Sequence, residues 1–253
     1  MLNQQTIDKL HALRLEAMVQ ALQEQRQQSN ICQLDFEDRL ALLVERQWLW
    51  KENRGLAARL HSAQFKVSAT LEDIDYEHPR GLKRAQIEQL RASQWVEKHR
   101  NCLMTGPTGC GKTHLACALG HQACREGHRV CYYYGPKLFR ELQNAQVDGS
   151  MMKLLKKLSN AALLILDDFG LSMANGKQYR DLLEIIDDRY GQGATLITSQ
   201  FPEDNWHELI NDATVADAIL DRLVHNAYRL KLEGETIRKK QTINRSGKKT
   251  PSD

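Results

Sequence analysis

The chain has 253 residues and a mass of 29.0 kDa, of which 42% are hydrophobic and 26% are charged, so a wholly disordered chain is excluded. The chain contains no run of about 18 apolar residues, the length that a membrane-spanning helix requires. Met1 to Gln5 also lack the apolar core of a signal peptide. We therefore expect a cytoplasmic protein that does not contact membranes. The net charge of +3 is too small to indicate nucleic-acid binding by itself.

The first third of the chain has the apolar spacing of helices. Apolar residues recur near every 3.6 positions from Ile7 to Leu22, and again from about Phe36 to Leu60. Asp35 directly precedes the second segment and is a predicted N-cap. Neither stripe can be buried by its own helix, so we expect the helices to pack together, on the next domain or on another subunit. Residues 67–81 contain Ser, Thr, Asp, Pro and Gly, which indicates a linker.

Short apolar strands alternate with helices from Arg100 onward. This pattern predicts a parallel sheet covered by helices on both faces, which is an α/β fold. We predict strands at 101–105, 129–134, 161–166, 194–199 and 228–232. The predicted domains are a helical N-terminal domain at 1–66, the linker at 67–81, the α/β domain at 82–240, and a basic tail at 241–253 that we expect to be disordered.

The six cysteines form no C-x-x-C pair, and no histidine spacing completes a zinc site. Four of them recur every seven residues between Cys110 and Cys131. We interpret them as reduced thiols, with Cys117 and Cys124 on the buried face of one helix.

Residues 106–113 match the pattern G-x-x-x-x-G-K-[ST] at every required position, after an apolar strand and at the start of a predicted helix. The glycines let backbone N–H groups surround a β-phosphate, and the helix N-terminus adds a partial positive charge. Lys112 would reach the β- and γ-phosphates, and the Thr113 hydroxyl would bind Mg²⁺. The sequence thus predicts a loop that binds ATP through Gly106, Pro107, Thr108, Gly109, Cys110, Gly111, Lys112, Thr113 and His114.

Two carboxylates follow the apolar run that ends at Leu166. Asp167 is placed to hold the magnesium shell. Asp168 could orient or deprotonate the attacking water, since a hydrogen-bond acceptor is needed beside the γ-phosphate. The alternative, that paired acids only end the strand in solvent, is disfavoured by the phosphate loop upstream.

Two later segments complete the predicted site. The strand at 194–199 ends in Thr198 and Ser199, whose hydroxyl groups could touch the γ-phosphate or its water. Arg222 follows an apolar helical stretch, and in oligomeric ATPases such an arginine reaches the γ-phosphate of a neighbouring subunit. The alternative is a surface arginine paired with Asp221.

These segments together resemble the AAA+ ATPases of the DnaA/DnaC clade, and in particular the IstB-type insertion-sequence helper ATPases. The phosphate loop alone is generic. The more specific segments are Arg54–Leu60, Leu164–Gly170 with its Asp-Asp-Phe-Gly run, Ile197–Gln200, and Asp221–Ala227 with its Asp-Arg-Leu-Val-His-Asn run.

The resemblance implies a P-loop AAA+ core behind a small helical domain. It assigns ATP hydrolysis to Lys112, Asp168, Ser199 (or Thr198) as sensor 1, and Arg222 as a finger that acts in trans. Asp168 stands where many AAA+ proteins have glutamate, and sensor 1 is usually asparagine. Only about 20 residues follow the last predicted strand, so we expect no C-terminal helical lid.

The resemblance also implies partners: duplex DNA bound largely without sequence preference, further copies of the chain, and a cognate transposase. Lys153, Lys156 and Lys157 lie in a predicted helix of the region that related initiators use along DNA. Residues 46–66 and 229–253 are also basic, at either side of an acidic middle. Each of these features is also typical of solvated surfaces. For Tyr132–Tyr134, packing of the side chains within the protein is favoured over the stacking of nucleic-acid bases on their rings.

Three other functions share the phosphate loop. A DnaC-type helicase loader is the nearest alternative and would differ in what its N-terminal region binds. A small-molecule kinase would need an Arg-rich lid segment, which we do not find. A nucleotide switch that does not hydrolyse ATP is disfavoured by Asp168.

Overall fold

The computed structural model describes residues 4–171, 174–234 and 236. The predicted tail at 241–253 lies outside these residues. Contacts divide the chain into two compact units, Met1–Ala58 and Arg59–Asp253. The domain limits drawn from the sequence remain a prediction. Within the predicted linker, Ala69, Leu71 and Ile74 are buried in the structure.

The first unit is helical. It contains α1 (Gln4–Ala12), α2 (Glu16–Gln27), a 3₁₀ turn (Ser29–Gln33) and most of α3 (Phe36–Ala63). The side chain of Asp35 accepts a hydrogen bond from the backbone N–H of Asp38 at 2.8 Å, which confirms the predicted cap.

The predicted single helix from Ile7 to Leu22 is wrong, because two helices occupy this region. Arg14 has a left-handed backbone with φ +59°. The N–H of Leu15 then bonds to the carbonyl of Leu10 at 2.9 Å, which closes a Schellman-type helix end. Glycine usually fills such a position, so the sequence carries no sign of the break.

The second unit is an α/β sandwich. Its strands are β1 (Cys102–Thr105), β2 (Val130–Tyr134), β3 (Leu163–Phe169), β4 (Ala194–Ser199) and β5 (Tyr228–Lys231). The sheet order is β2-β3-β4-β1-β5 and every neighbouring pair is parallel. Parallel strands place all their carboxyl ends at one edge, where β1, β3 and β4 are adjacent.

Helices cover both faces of this sheet, as the wholly apolar strands predict. Within β3, Ile165 faces α6, whereas Leu164 and Leu166 belong to a core with the helices of the other face. The helices of this unit are α4 (Arg84–Arg91), α5 (Gln94–Glu97), α6 (Lys112–Arg125), α7 (Gly135–Asp148), α8 (Met151–Ser159), α9 (Gly176–Arg189), α10 (Trp206–Ile210) and α11 (Ala213–Val224).

The third strand differs from its prediction at both ends. It begins at Leu163 and continues through both carboxylates to Phe169, instead of covering 161–166. Asp167 is still paired with Tyr134 of β2, and the pairing with β4 shifts register between Leu166 and Phe169. This bulge redirects the acidic residues at the sheet edge.

Five of the cysteines have side chains in the described part of the chain, and all five are free and buried. Cys117 and Cys124 lie on α6, as expected, and burial raises the pKa of each thiol to about 11. None of the helices in the described ranges is both long and apolar enough to cross a membrane.

Candidate ATP site

The phosphate loop connects β1 to α6 and has an unusual backbone. Gly106, Gly109 and Gly111 all have positive φ, at +150°, +87° and +94°. A Cβ at Gly106 would collide with the carbonyl oxygen of Leu232, so the backbone there allows no side chain. The loop ends at the N-terminus of the 14-residue helix α6, whose first N–H groups have no helical partners.

Lys112 lies within this loop. Its ammonium donates to the carbonyls of Gly106 at 2.6 Å and Pro107 at 2.9 Å, and its residue is only 5% exposed. The ammonium is therefore held inside the curve of the loop, where phosphate oxygens would be bound.

The structure brings the loop and the predicted metal carboxylate together. The Thr113 hydroxyl lies 2.9 Å from both carboxylate oxygens of Asp167, which is fully buried. Hydroxyl and carboxylate oxygens are ligands that suit Mg²⁺, which also keeps waters and phosphate oxygens around it. This donor pair therefore fits a magnesium ion bound to ATP.

Asp168 occupies a different environment from Asp167. Its backbone is left-handed, with φ +58°, a conformation that Asp tolerates better than most residues. Its side chain is 18% exposed, whereas that of Asp167 is 0% exposed. One carboxylate is thus buried among donors and the other is partly accessible to water, which suits one metal ligand and one acceptor for an attacking water.

The hydroxyl groups at the end of β4 have different partners. Thr198 Oγ1 donates to Asp167 at 2.7 Å and accepts the backbone N–H of Asp168 at 2.9 Å. Ser199 Oγ instead donates to the carbonyl of Phe169 at 2.9 Å and accepts the N–H of Phe201 at 3.1 Å. Of the two sensor candidates, Thr198 contacts the carboxylate of Asp167, whereas the hydroxyl of Ser199 contacts backbone groups of Phe169 and Phe201.

Two further side chains contact these carboxylates, and nothing in the sequence marks either of them as a site residue. Tyr132 donates its hydroxyl to Asp167 at 2.6 Å. Burial of the phenol is the larger cause that raises its pKa, and the hydrogen bond to this carboxylate is the next, so the phenol stays protonated. The ammonium of Lys66 lies 3.7 Å from Asp167 and 3.9 Å from Asp168. Tyr132 was visible only as one of three tyrosines, and Lys66 only as one charge in a basic stretch.

The remaining loop residues have contacts around the site. Thr108 donates to the side-chain oxygen of Gln200 at 2.7 Å, which links the loop to the residue after β4. The backbone carbonyl of Cys110 accepts a hydrogen bond from the buried Arg80 at 3.2 Å. His114 is half-buried, and this burial, followed by the charge of Arg80, lowers its pKa. Arg80 is a supporting residue that sequence reasoning placed in the linker.

Arg222 lies far from this loop in its own chain. It is on α11, and its backbone carbonyl accepts the side chain of Asn101 at 3.0 Å, just before β1 begins. The phosphate loop follows the opposite end of β1. The Arg222 guanidinium pairs with Asp187 at 2.6 Å, whereas the alternative drawn from sequence was Asp221.

Lys153, Lys156 and Lys157 share one face of α8, at positions i, i+3 and i+4, and all three are exposed. Lys157 also donates to the hydroxyl of Tyr133 at 2.9 Å, and this hydrogen bond raises the pKa of the ammonium. Tyr133 itself is buried, which agrees with packing for this member of the tyrosine run.

Solved structures with a similar fold include those of DnaI and DnaA. A DnaI structure has a TM-score of 0.54 at 24% identity and covers 65% of this chain and 90% of its own. AMPPCP-bound DnaA from Aquifex aeolicus has a TM-score of 0.56 at 19% identity, covering 72% of this chain and 55% of its own. At these identities the likeness shows the fold, an AAA+ domain of the DnaA and DnaC type.

Sequence relatives cover almost the whole chain. The protein named insertion sequence ATP-binding protein y4pL, from Sinorhizobium fredii, is 47% identical over 95% of this chain and 98% of its own length. A relative from insertion sequence IS1162 of Pseudomonas fluorescens is 43% identical over 80% of this chain and 88% of its own. The sequence model of the IstB-like ATP binding proteins matches residues 8–245. This chain belongs to the IstB-like ATP-binding protein family.

Proposed function

We propose that the protein is a cytoplasmic ATPase that assembles on duplex DNA and assists a transposase of its own insertion sequence. The observation that carries this proposal is the joining of Thr113, Asp167 and Thr198 into one hydrogen-bonded group beside the phosphate loop. The family adds the setting, because the relatives above are named for insertion sequences and for ATP binding.

Hydrolysis would use the residues of this group in separate roles. Lys112 and the loop N–H groups would bind the phosphates, and Thr113 with Asp167 would hold Mg²⁺. The metal would supply neutralisation of charge on the phosphate oxygens. Asp168, which is partly accessible to water, would orient the attacking water and accept its proton.

Assembly of several copies is supported by Arg222 and by the first unit. Arg222 lies at the opposite edge of the sheet from the phosphate loop, so its own nucleotide is out of reach and a neighbour's is the available target. On α3, Phe36, Val44 and Trp48 are 68%, 50% and 56% exposed, which leaves apolar surface for contact with further copies.

The family match favours a transposition helper over a helicase loader. It covers residues 8–245 and therefore includes the helical first unit. The likeness to the DnaC helicase loader structure covers 69% of this chain, at 20% identity, and shows a shared fold only. The relatives, in contrast, are named for the insertion sequences to which they belong.

The test measures ATP turnover and particle mass, with and without duplex DNA, for the wild type, Lys112→Ala and Arg222→Ala. We expect the wild type to form large particles only with ATP and DNA together, and to hydrolyse ATP faster on DNA. Lys112→Ala should lose nucleotide binding. Arg222→Ala should bind ATP and fail to hydrolyse it. Every subunit then carries the substitution, so no neighbour supplies the positive charge that stabilises the γ-phosphate in the transition state.

The matched control is Arg129→Ala, an exposed arginine directly before β2, which is an edge strand of the sheet and is not adjacent to β1. It should behave as the wild type. The proposal would be refuted if the protein stays monomeric under all conditions and its rate of ATP turnover is the same with and without DNA. Stimulation of a replicative helicase, with no effect on the transposase encoded beside it, would identify a loader instead.

A further inference from the structure

Lys66 is the cation that meets the carboxylates of the ATP site. Its ammonium is 3.7 Å from Asp167 Oδ2, 3.9 Å from Asp168 Oδ2, and 4.7 Å from the ring centre of Tyr134. It thus lies at the carboxylate pair and over an aromatic face, which also favours a cation.

Charge balance explains why a cation is needed there. Asp167 is fully buried and accepts hydrogen bonds from the hydroxyls of Thr113, Tyr132 and Thr198, all of which are neutral donors. A buried carboxylate without a positive partner is strongly destabilising. Lys112 donates to loop carbonyls instead, so in the described part of the chain Lys66 is the side chain that forms ion pairs with Asp167.

The two residues before Lys66 fix the course of the backbone that leads to it. Gln64 has a left-handed backbone with φ +54° and turns the chain directly after α3 ends at Ala63. Phe65 then packs its ring edge-on to Tyr132, with centroids 6.4 Å apart, and fills a space over Gly120 where a Cβ would lie 2.6 Å from the ring. Only glycine at this position of α6 leaves room for Phe65.

The side chain of Lys66 is only partly buried and is held loosely. It is 46% exposed, and it forms long ion pairs without a short hydrogen bond to either carboxylate. Mg²⁺ bound to Asp167 and Thr113 would bring two positive charges to the same oxygens. The Coulomb repulsion between this ion and the ammonium would weaken metal binding while Lys66 stays on Asp167.

We propose that Lys66 is a positioning residue of the ATP site, whose ammonium competes with the divalent cation for Asp167 and withdraws to the Asp168 side when that cation binds. This inference rests on the proposed role of the two carboxylates in ATP hydrolysis. It adds a residue from the segment after α3 to a site otherwise built from the sheet edge and the phosphate loop.

The test measures Mn²⁺ binding to the full-length, nucleotide-free protein by EPR of the free ion. Lys66→Met keeps the length of the side chain and removes its charge, so Mn²⁺ should bind about tenfold more tightly than to the wild type. Lys66→Arg keeps the charge and should restore wild-type affinity. Lys98→Met, near the opposite edge of the sheet, serves as the matched control and should change nothing.

Equal Mn²⁺ affinity in the wild type and Lys66→Met, or no binding by either, would overturn the inference. A Lys66→Arg protein that behaves as Lys66→Met would do the same, because shape and not charge would then be responsible. ATP turnover by the same wild-type sample separates the two proposals: turnover with equal affinities rejects the role of Lys66 alone, whereas absent turnover rejects the ATPase.

Discussion

Thr198 joins the carboxylate of Asp167 to the backbone of Asp168 through a single hydroxyl. It donates to Asp167 and accepts the backbone N–H of Asp168, at 2.7 and 2.9 Å. The orientation of the buried Asp167 carboxylate and the backbone position of Asp168 therefore depend on the same atom. Partners that orient a metal ligand in this way commonly affect activity as strongly as some ligands do.

We expect Thr198→Val to lower kcat for ATP by about 10- to 100-fold, because the isosteric side chain fills the space but leaves both partners without the hydroxyl. ATP affinity should change much less, since the loop contacts of Lys112 remain. Steady-state hydrolysis on DNA, together with binding of a fluorescent ATP analogue, measures the two effects separately.

Ser199→Ala is the control for this prediction. Its hydroxyl bonds to backbone groups of Phe169 and Phe201, so its loss should lower stability by about 1 kcal/mol and leave kcat close to that of the wild type. Thermal unfolding measures the stability. If Ser199→Ala lost hydrolysis and Thr198→Val kept it, the sensor role would belong to Ser199.

The phosphate loop could be predicted because its chemistry lies within eight consecutive residues, from Gly106 to Thr113. Lys66 and Tyr132 could not, because nothing in their own neighbourhoods marks them. Their roles arise when the chain after α3 and the second strand converge on Asp167. Contacts between segments distant in sequence require the fold.

At the scale of elements, β1 to β4 were predictable because burial on both faces makes their residues largely apolar, whereas β5 alternates charged residues with apolar ones. The bulge at Asp167 and the break at Arg14 were not, since each depends on local backbone geometry that carries no composition signal. The face shared by the three lysines of α8 follows directly from helical spacing once the helix is assigned.

This face of α8 gives a prediction for DNA binding. We expect the triple variant Lys153→Ala, Lys156→Ala, Lys157→Ala to bind duplex DNA more weakly, by a similar factor for every sequence, because binding to phosphates carries no sequence information. The slope of log affinity against log salt should fall by about one for each DNA phosphate that the variant no longer neutralises. Fluorescence anisotropy over a salt series measures both quantities.

Lys137→Ala is the matched control for α8. Lys137 is also exposed, but it pairs with Glu141 at 3.7 Å within α7, so its charge is already balanced. Its removal should leave the salt slope unchanged. An unchanged slope in the triple variant would mean that α8 is a solvated surface and that DNA binds elsewhere.

At the scale of the whole molecule, the ATP site and Arg222 lie at opposite edges of one sheet. The four residues of β1 alone span about 13 Å, and Arg222 is anchored before that strand while the phosphate loop follows it. A subunit therefore cannot supply Arg222 to its own nucleotide without unfolding part of the sheet. In a head-to-tail assembly, the same two edges could meet between neighbours.

Mixing two inactive variants tests this arrangement. Asp168→Asn keeps the phosphate loop that binds ATP, lacks the acceptor for the attacking water and carries an intact Arg222, whereas Arg222→Ala carries an intact phosphate loop and Asp168. An active site can therefore form where the second variant binds ATP beside the first. With random assembly of equal amounts, about a quarter of the interfaces have this composition, and we expect about a quarter of wild-type turnover on DNA. Each variant alone should remain near background. Turnover that stays at background in the mixture, while particle mass shows that mixed assemblies form, would exclude Arg222 as a residue that acts in trans.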